Sequence, residues 1–328
     1  MAIYENQSFK KGMTYALFWS DISHPEFKAA LDRLAVTGCN YVALAPGWWQ
    51  ADKYATEIYP HPHKTPNDRQ LKDLIAYIHE LGMEVLLKPF VDSENHEEWR
   101  GHFDPSNTLK WFKSYEKFIS HYARMAKEMD VALFSVGVEN VLGNKKRQLY
   151  WVDVIATVKM FYQGPLTFSS NFEGDTSYKE VDFWEMLDYI GIDAYFPVAN
   201  KMEASVEEIV AGWKPQIAEI ESWLEKKKFD LPVLFTELGT CSYKGSSKAP
   251  YAYPDDVTIS EKEQEHYYRA FFESFADREW LNGVYWWWWD NPSTGDYMGN
   301  KGEANSQYAY LYTPQGKAAE EVLKEYYS

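Results

Sequence analysis

Short apolar runs alternate with amphipathic helical stretches eight times along this 328-residue chain, and that alternation leaves few folds open. The runs are Met13–Phe18, Tyr41–Ala45, Glu84–Pro89, Ala132–Val138, Leu166–Ser170, Tyr189–Asp193, Val233–Thr236 and Val284–Trp288. They are rich in β-branched and aromatic residues and too short for helices, so they read as strands buried on both faces of a parallel sheet. Helices are expected at His24–Val36, Asn67–Leu81, Asn107–Met129, Lys145–Phe161, Lys179–Leu187, Ser205–Lys228, Ser260–Phe275 and Gln315–Tyr326. In the third, Trp111, Tyr115, Phe118, Ile119, Tyr122 and Met125 recur at three- and four-residue steps and make one apolar stripe. Gly38 and Gly82 follow helix ends, where a left-handed cap favours glycine. An open doubly wound sheet would call for a Gly-rich turn after its first strand, and Trp19-Ser-Asp-Ile-Ser-His24 has no glycine. No linker divides the chain. The expectation is an α/β chain forming a (β/α)8 TIM barrel, one domain over 1–328.

A barrel of this kind places its chemistry at the C-terminal ends of its strands. The fourth and seventh strands end in Glu139 and Glu237. A carboxylate at such a tip gains little packing and is costly to bury unpaired. Glu139 also fits as an acid favoured by the start of the next helix, whereas Glu237 has no helix just behind it. Two acids at two tips are what glycoside hydrolysis needs around a scissile bond. The other tips carry Trp19, Trp48, Lys88, Asp92, Asn140, Asn171, Asp193 and Tyr195, and Trp286–Trp289 follow the last strand. Rings to stack on sugar faces, with amides and charges for hydroxyls, make these residues candidate substrate contacts. Alternation puts Trp286 and Trp288 on one face; these two are expected to face the barrel axis, and Trp287 and Trp289 the helices.

Composition narrows the ligand. Acids outnumber bases 49 to 33, a net charge of −16, which disfavours nucleic acid, anionic membrane surfaces and polyanionic substrates. Aromatic residues make up 17% of the chain, enough to fill a core and line a groove for a neutral ligand. Cys39 and Cys241 fall at separate strands, so neither a disulfide nor a zinc site is expected. His61-Pro-His63 could ligate metal, but no histidine lies between His121 and His266 to complete a site, so no metal and no cofactor is expected. No run approaches the ~20 apolar residues of a membrane span. Met1 to Met13 has no apolar core of a signal peptide, so a cytoplasmic location is expected, or secretion if a leader has been removed. Oligomeric state is not legible.

Six fragments, in order and on the expected strands, resemble the retaining β-mannanases of glycoside hydrolase family 113. They are Leu87-Lys-Pro-Phe-Val-Asp92, Glu98-Trp-Arg-Gly101, Val136-Gly-Val-Glu139, Ile190-Gly-Ile-Asp-Ala-Tyr195, Phe235-Thr-Glu-Leu-Gly239 and Val284-Tyr-Trp-Trp-Trp-Trp-Asp290. The resemblance implies an endo-β-1,4-mannanase acting on a neutral β-linked oligosaccharide or polysaccharide. By it, Glu139 is the acid/base, Glu237 the nucleophile, Tyr195 the nucleophile's hydrogen-bond partner and Trp286 the floor of the cleaved subsite. Many members of the wider clan have Asn just before the acid/base, and here that position is Val138. Asn171, Asn140 or Lys88 are the candidates to hold the sugar 2-hydroxyl instead. Two other readings stand beside this one: a retaining endoglucanase or β-glucosidase, and a sugar-binding barrel without catalysis.

Overall fold

The computed structural model describes residues 2–95, 98–140, 142, 147–254, 257–294 and 311–327. Among these the strands are β1 (Lys10–Leu17), β2 (Tyr41–Gln50), β3 (Glu84–Leu87), β4 (Phe90–Ser93), β5 (Leu133–Val138), β6 (Leu166–Asn171), β7 (Ile190–Asp193), β8 (Val233–Leu238) and β9 (Leu281–Trp286). All pair in parallel. β1 pairs on both edges, with β2 and with β9, and so closes the sheet into a ring. β3 and β4 form one barrel strand interrupted at Lys88-Pro89, since β3 pairs with the first half of β2 and β4 with its second half. Proline has no N–H to give a ladder, which accounts for the break. The barrel therefore has eight strands, as the alternation predicts.

The helices are α1 (Glu26–Ala35), α2 (Asp68–Glu80), α3 (Thr108–Glu128), α4 (Gln148–Phe161), α5 (Val206–Lys227), α6 (Glu261–Phe275) and α7 (Ala318–Tyr327). Four start at a polar cap. The side chains of Asn67, Asn107, Ser205 and Ser260 each accept a backbone N–H of the first turn, and Ser205 completes a capping box with Glu208. The expected helix at Lys179–Leu187 does not form; a single 3-10 turn at Trp184–Met186 falls in that stretch, after another at Gly174–Thr176. Side chains occupy the carbonyls such a helix would use. The Trp184 indole donates to the Tyr178 carbonyl and the Gln148 amide to the Asp182 carbonyl. Lys145 and Lys146, expected to open the fourth helix, lie outside the described residues, and α4 starts at Gln148.

Alternation along the strands sorts side chains into barrel interior and helix layer. Ala43, Leu86, Leu133, Leu234 and Tyr285 pack together low in the interior; Ala16, Phe18, Ala45, Phe90 and Val138 pack together above them. Their neighbours Val42, Val85, Leu87, Phe134, Phe235, Val284 and Trp286 belong to the larger core beneath the helices. Tyr285 fills the space opposite Gly12, where an added Cβ would lie 2.2 Å from the Tyr285 ring. Cys39 and Cys241 are free thiols and buried. Among the described residues, no helix is long and apolar enough to cross a membrane.

Gly191 of β7 sits so close to β6 that a Cβ there would meet the Phe168 carbonyl oxygen at 2.4 Å. Backbone cannot swing aside as a side chain can. Gly191→Ala is expected to cost about 2 kcal/mol or more, read as a lower urea midpoint at unchanged slope.

Candidate active site

The two glutamates reach the mouth of the barrel through irregularities in their strands. In β8, Thr236 is an extra residue relative to both neighbours: Phe235 and Glu237 pair across from consecutive residues Ile192 and Asp193, and Phe235 and Leu238 across from Val284 and Trp286. Strict alternation from Leu234 would turn Glu237 toward the helices. The bulge re-aims it into the cleft. β5 shows a similar shift between Ser135 and Val138 against β6. Val138 thereby joins the interior layer, and Glu139 follows in a left-handed conformation with φ 45°. Such a conformation costs a non-glycine residue on the order of 1–3 kcal/mol. Strain at the residue that carries a carboxylate into a cleft marks a position held for chemistry.

Both carboxylates line a cleft of about 420 Å³. Their surroundings differ. Glu237 Oε1 accepts from Lys88 Nζ at 2.6 Å and Oε2 from the Tyr195 hydroxyl at 2.8 Å, so both oxygens are fixed. Glu139 has longer partners: Asn171 Nδ2 at 3.3 Å, Trp99 Nε1 at 3.5 Å and an Arg100 guanidinium nitrogen at 3.7 Å. Burial, then the charge of Glu237, raise the Glu139 carboxyl to about 7, against smaller opposing pulls from Arg100 and Lys88. Burial and then Glu237 likewise hold the Tyr195 hydroxyl well above its usual range, so it is a donor. One carboxyl is poised to keep its proton near neutrality, and the other is fixed by a cation and a phenol.

Trp287, Tyr251, Tyr253, Tyr312 and Phe172 supply aromatic lining to the cleft, with Trp99, Arg100 and Glu173 completing it. A second hollow of about 670 Å³ adjoins on the Glu139 side and shares Trp99, Asn171 and Glu173 with the first. Among the described residues, no group of three or more His, Cys, Asp or Glu is placed to hold a metal ion.

Of the candidates, the cleft gathers Glu139, Glu237, Asn171 and Tyr195. Lys88 and Asp193 lie just beneath, 1% and 0% exposed. Lys88 is not placed to touch a sugar. An ammonium has three N–H donors, and here three acceptors lie within 3.2 Å: Asp193 Oδ1, the Thr236 carbonyl and Glu237 Oε1. Asp92 is taken by Arg100, at 2.9 Å, and the Asn140 side chain accepts from Leu142 N in the turn after β5. Trp19 packs by Phe27 of α1. Trp48 lies against Phe118, His121 and Tyr122 of α3, by a separate surface hollow.

For the tryptophans of the last strand the expectation holds at Trp289, which lies against α1 and donates to the Ala30 carbonyl, and is reversed at Trp286 and Trp287. Trp286 faces the helices, stacked on Tyr268 of α6 at 3.8 Å and donating to the Tyr327 hydroxyl of α7. Tyr285 holds the interior, so its neighbour must point out. Trp288 is fully buried and donates to Asp290, with its ring by Tyr312. Trp287 is the one in the cleft. Trp99 and Arg100 lie within a fragment noted above but carried no assigned role. The tyrosines at 251, 253 and 312 lie in connecting segments where no periodicity marks them.

The family model described as Glycoside Hydrolase Family 113 matches residues 13–313. Among solved structures, the chain is similar to one titled a complex of a family 113 β-1,4-mannanase, with 29% identity, TM-score 0.82, and coverage of 97% of this chain and 98% of that one. It is also similar to a family 113 β-mannanase from Alicyclobacillus acidocaldarius in complex with ManMIm, with 26% identity, TM-score 0.81, and coverage of 100% and 99%. A Ruminococcus gnavus β-glucuronidase, 16% identical at TM-score 0.66 over 98% of this chain and 50% of that one, shares the fold alone. Among curated proteins none matches.

Two outcomes are expected. The Glu139 carboxyl is raised in the folded state, so its burial costs nothing below its ordinary value of 4.5, costs more as pH rises, and costs in full above about 7. Glu139→Gln should therefore match the wild type in stability near pH 4 and exceed it by roughly 3 kcal/mol at pH 8 in urea unfolding. Trp287→Ala should weaken ligand binding with little change in stability, whereas Trp286→Ala should lower the free energy of urea unfolding by about 3 kcal/mol, with ligand binding by the folded fraction unchanged.

Proposed function

Because the chain belongs to glycoside hydrolase family 113, we propose that it hydrolyses β-1,4-mannosidic bonds in mannan, glucomannan or manno-oligosaccharides, with retention of anomeric configuration. The observation that carries the reading is the contrast between the two carboxyls of one cleft: Glu237 fixed by Lys88 and Tyr195, Glu139 buried and raised to about 7. In the first step a Glu237 oxygen bonds to the anomeric carbon as the glycosidic C–O bond breaks. Glu139 gives its proton to the departing oxygen. In the second step Glu139, now a carboxylate, takes a proton from water. That water's oxygen bonds to the anomeric carbon, the ester to Glu237 breaks, and both side chains return to their starting forms.

The two hollows divide accordingly. The cleft with Trp287 and the tyrosines takes the sugar being cleaved and its non-reducing side, and the hollow beyond Trp99 and Glu173, on the side of the proton donor, takes the leaving group. Asn171, beside Glu139, holds the 2-hydroxyl; Val138 is enclosed in the interior layer, Asn140 is engaged in its turn and Lys88 has no donor to spare. The assignment to mannose rests on family membership and on the two similar structures, both described as β-mannanases.

The test is a time course on mannohexaose, cellohexaose and xylohexaose followed by proton NMR. The β-anomer should appear first from mannohexaose. An α-anomer first would refute retention, and faster cleavage of cellohexaose would move the enzyme to β-glucans. Glu237→Ala should lose at least ~10³-fold in kcat, with azide restoring turnover as an α-glycosyl azide. The acid must be protonated, so kcat/KM should fall as pH rises through about 7, and Glu139→Gln should abolish that limb.

A further inference from the structure

Lys88 is a buried cation at the junction of three strands. It follows Leu87 of β3 at the break before Pro89, on the same face as Leu86, and so points into the ring. Its ammonium crosses the interior to β7 and β8, where it meets Asp193 Oδ1 at 3.2 Å, the Thr236 carbonyl at 3.2 Å and Glu237 Oε1 at 2.6 Å. Thr236 Oγ1 donates to the same Asp193 oxygen at 2.7 Å, while Asp193 Oδ2 is buried with no hydrogen-bond partner among the described residues. Asp193 is thus tied on one side only, toward Lys88. Ion pairs this deep contribute little net stability and are retained at a desolvation cost of several kcal/mol per charge. A packed apolar pair would serve the fold as well, so the arrangement calls for another reason.

We propose that Lys88, aimed by Asp193, is a positioning residue of the reaction: it fixes one oxygen of Glu237 and leaves the other with Tyr195. This deepens the proposed function and rests on it. The groups that face the ammonium are Asp193 from β7, Glu237 and the Thr236 carbonyl from β8, and Glu139 at the end of β5; Arg100, after β4, faces Glu139 from the other side. The apolar residues Phe18, Ala45, Phe90, Val138 and Trp287 line the small space next to it. Burial alone would lower the lysine, but the charges of Asp193 and Glu237 outweigh it and raise it, so the cation persists. Burial, then Glu237, push the Asp193 carboxyl well above its usual range. One positive charge therefore stands among three carboxyls, two of them raised, and its shortest contact is to the nucleophile.

The experiment compares Lys88→Met, Asp193→Asn, and the pair together on whichever β-hexoside the wild-type enzyme hydrolyses. If the wild type spares mannosides, the sugar assignment fails while the role of Lys88 is still read. For Lys88→Met, kcat should fall at least a hundredfold with KM within about threefold. Because the Lys88 charge lowers the Glu139 carboxyl, the alkaline limb of kcat/KM should also move to higher pH. The double variant should be no worse in kcat than Lys88→Met alone, since Asp193 acts through the lysine. A folded Lys88→Met enzyme with kcat within fivefold of wild type, or an unmoved alkaline limb, overturns the proposal. If Lys88→Met does not fold, the double variant, which removes one buried carboxyl with the cation, carries the same two readouts. If neither folds, Asp193→Asn decides: a tenfold or greater loss of kcat at unchanged KM supports the proposal, and full activity overturns it.

Discussion

The double pairing of β1 is the constraint from which the cleft follows. Only because β1 joins both β2 and β9 do side chains of β3, β7 and β8 meet across an enclosed axis rather than along an open sheet. Lys88 reaches Asp193 and Glu237 over sequence separations of 105 and 149 residues, through space that exists only in the closed ring. The apolar floor of Leu86, Leu133, Leu234 and Tyr285 excludes water from below. In that setting a charge interacts strongly with its neighbours, and a carboxyl can be raised or fixed by a single partner.

The two carboxyls illustrate how little is needed to give identical residues opposite tasks. Each ends an apolar strand and enters the cleft at a bulge or strained residue. Glu237 has two short hydrogen bonds, from Lys88 and Tyr195. Glu139 has three longer contacts and the repulsion of its neighbour. Neither difference is intrinsic to glutamate; both come from what β3, β6 and β7 deliver to the same point.

This explains which parts were legible in the sequence. The strands were, because a buried parallel strand is a continuous apolar run, and an acid at its end violates the pattern. Glu139 and Glu237 stood out for that reason, and Tyr195 and Asn171 came with their strand tips. The inward tryptophan was not legible. A period of two separates the residues into faces without saying which is inside, and the answer lies in Tyr285 filling the space left by Gly12, 273 residues earlier. The helix expected at 179–187 failed for a similar reason: its apolar residues are real core, but side chains, Trp184 of the segment itself and Gln148 from α4, take carbonyls that a helical ladder would use. Lys88 read as a substrate contact at its strand tip, while the closed ring gave its ammonium to Asp193 and Glu237. Asp92 instead went to Arg100. Tyr251, Tyr253 and Tyr312 belong to connections, where composition is the sole signal.

The two free thiols, finally, give the molecule a built-in report on its own integrity. Cys39, held up to about 12 by burial, and Cys241, pushed up by the same cause, carry almost no thiolate at neutral pH and sit out of reach of solvent. Thiol-selective dyes therefore find no thiol on the native surface. Labelling at either site would then keep time with opening of the barrel, one thiol watching the start of β2 and the other the loop that follows β8.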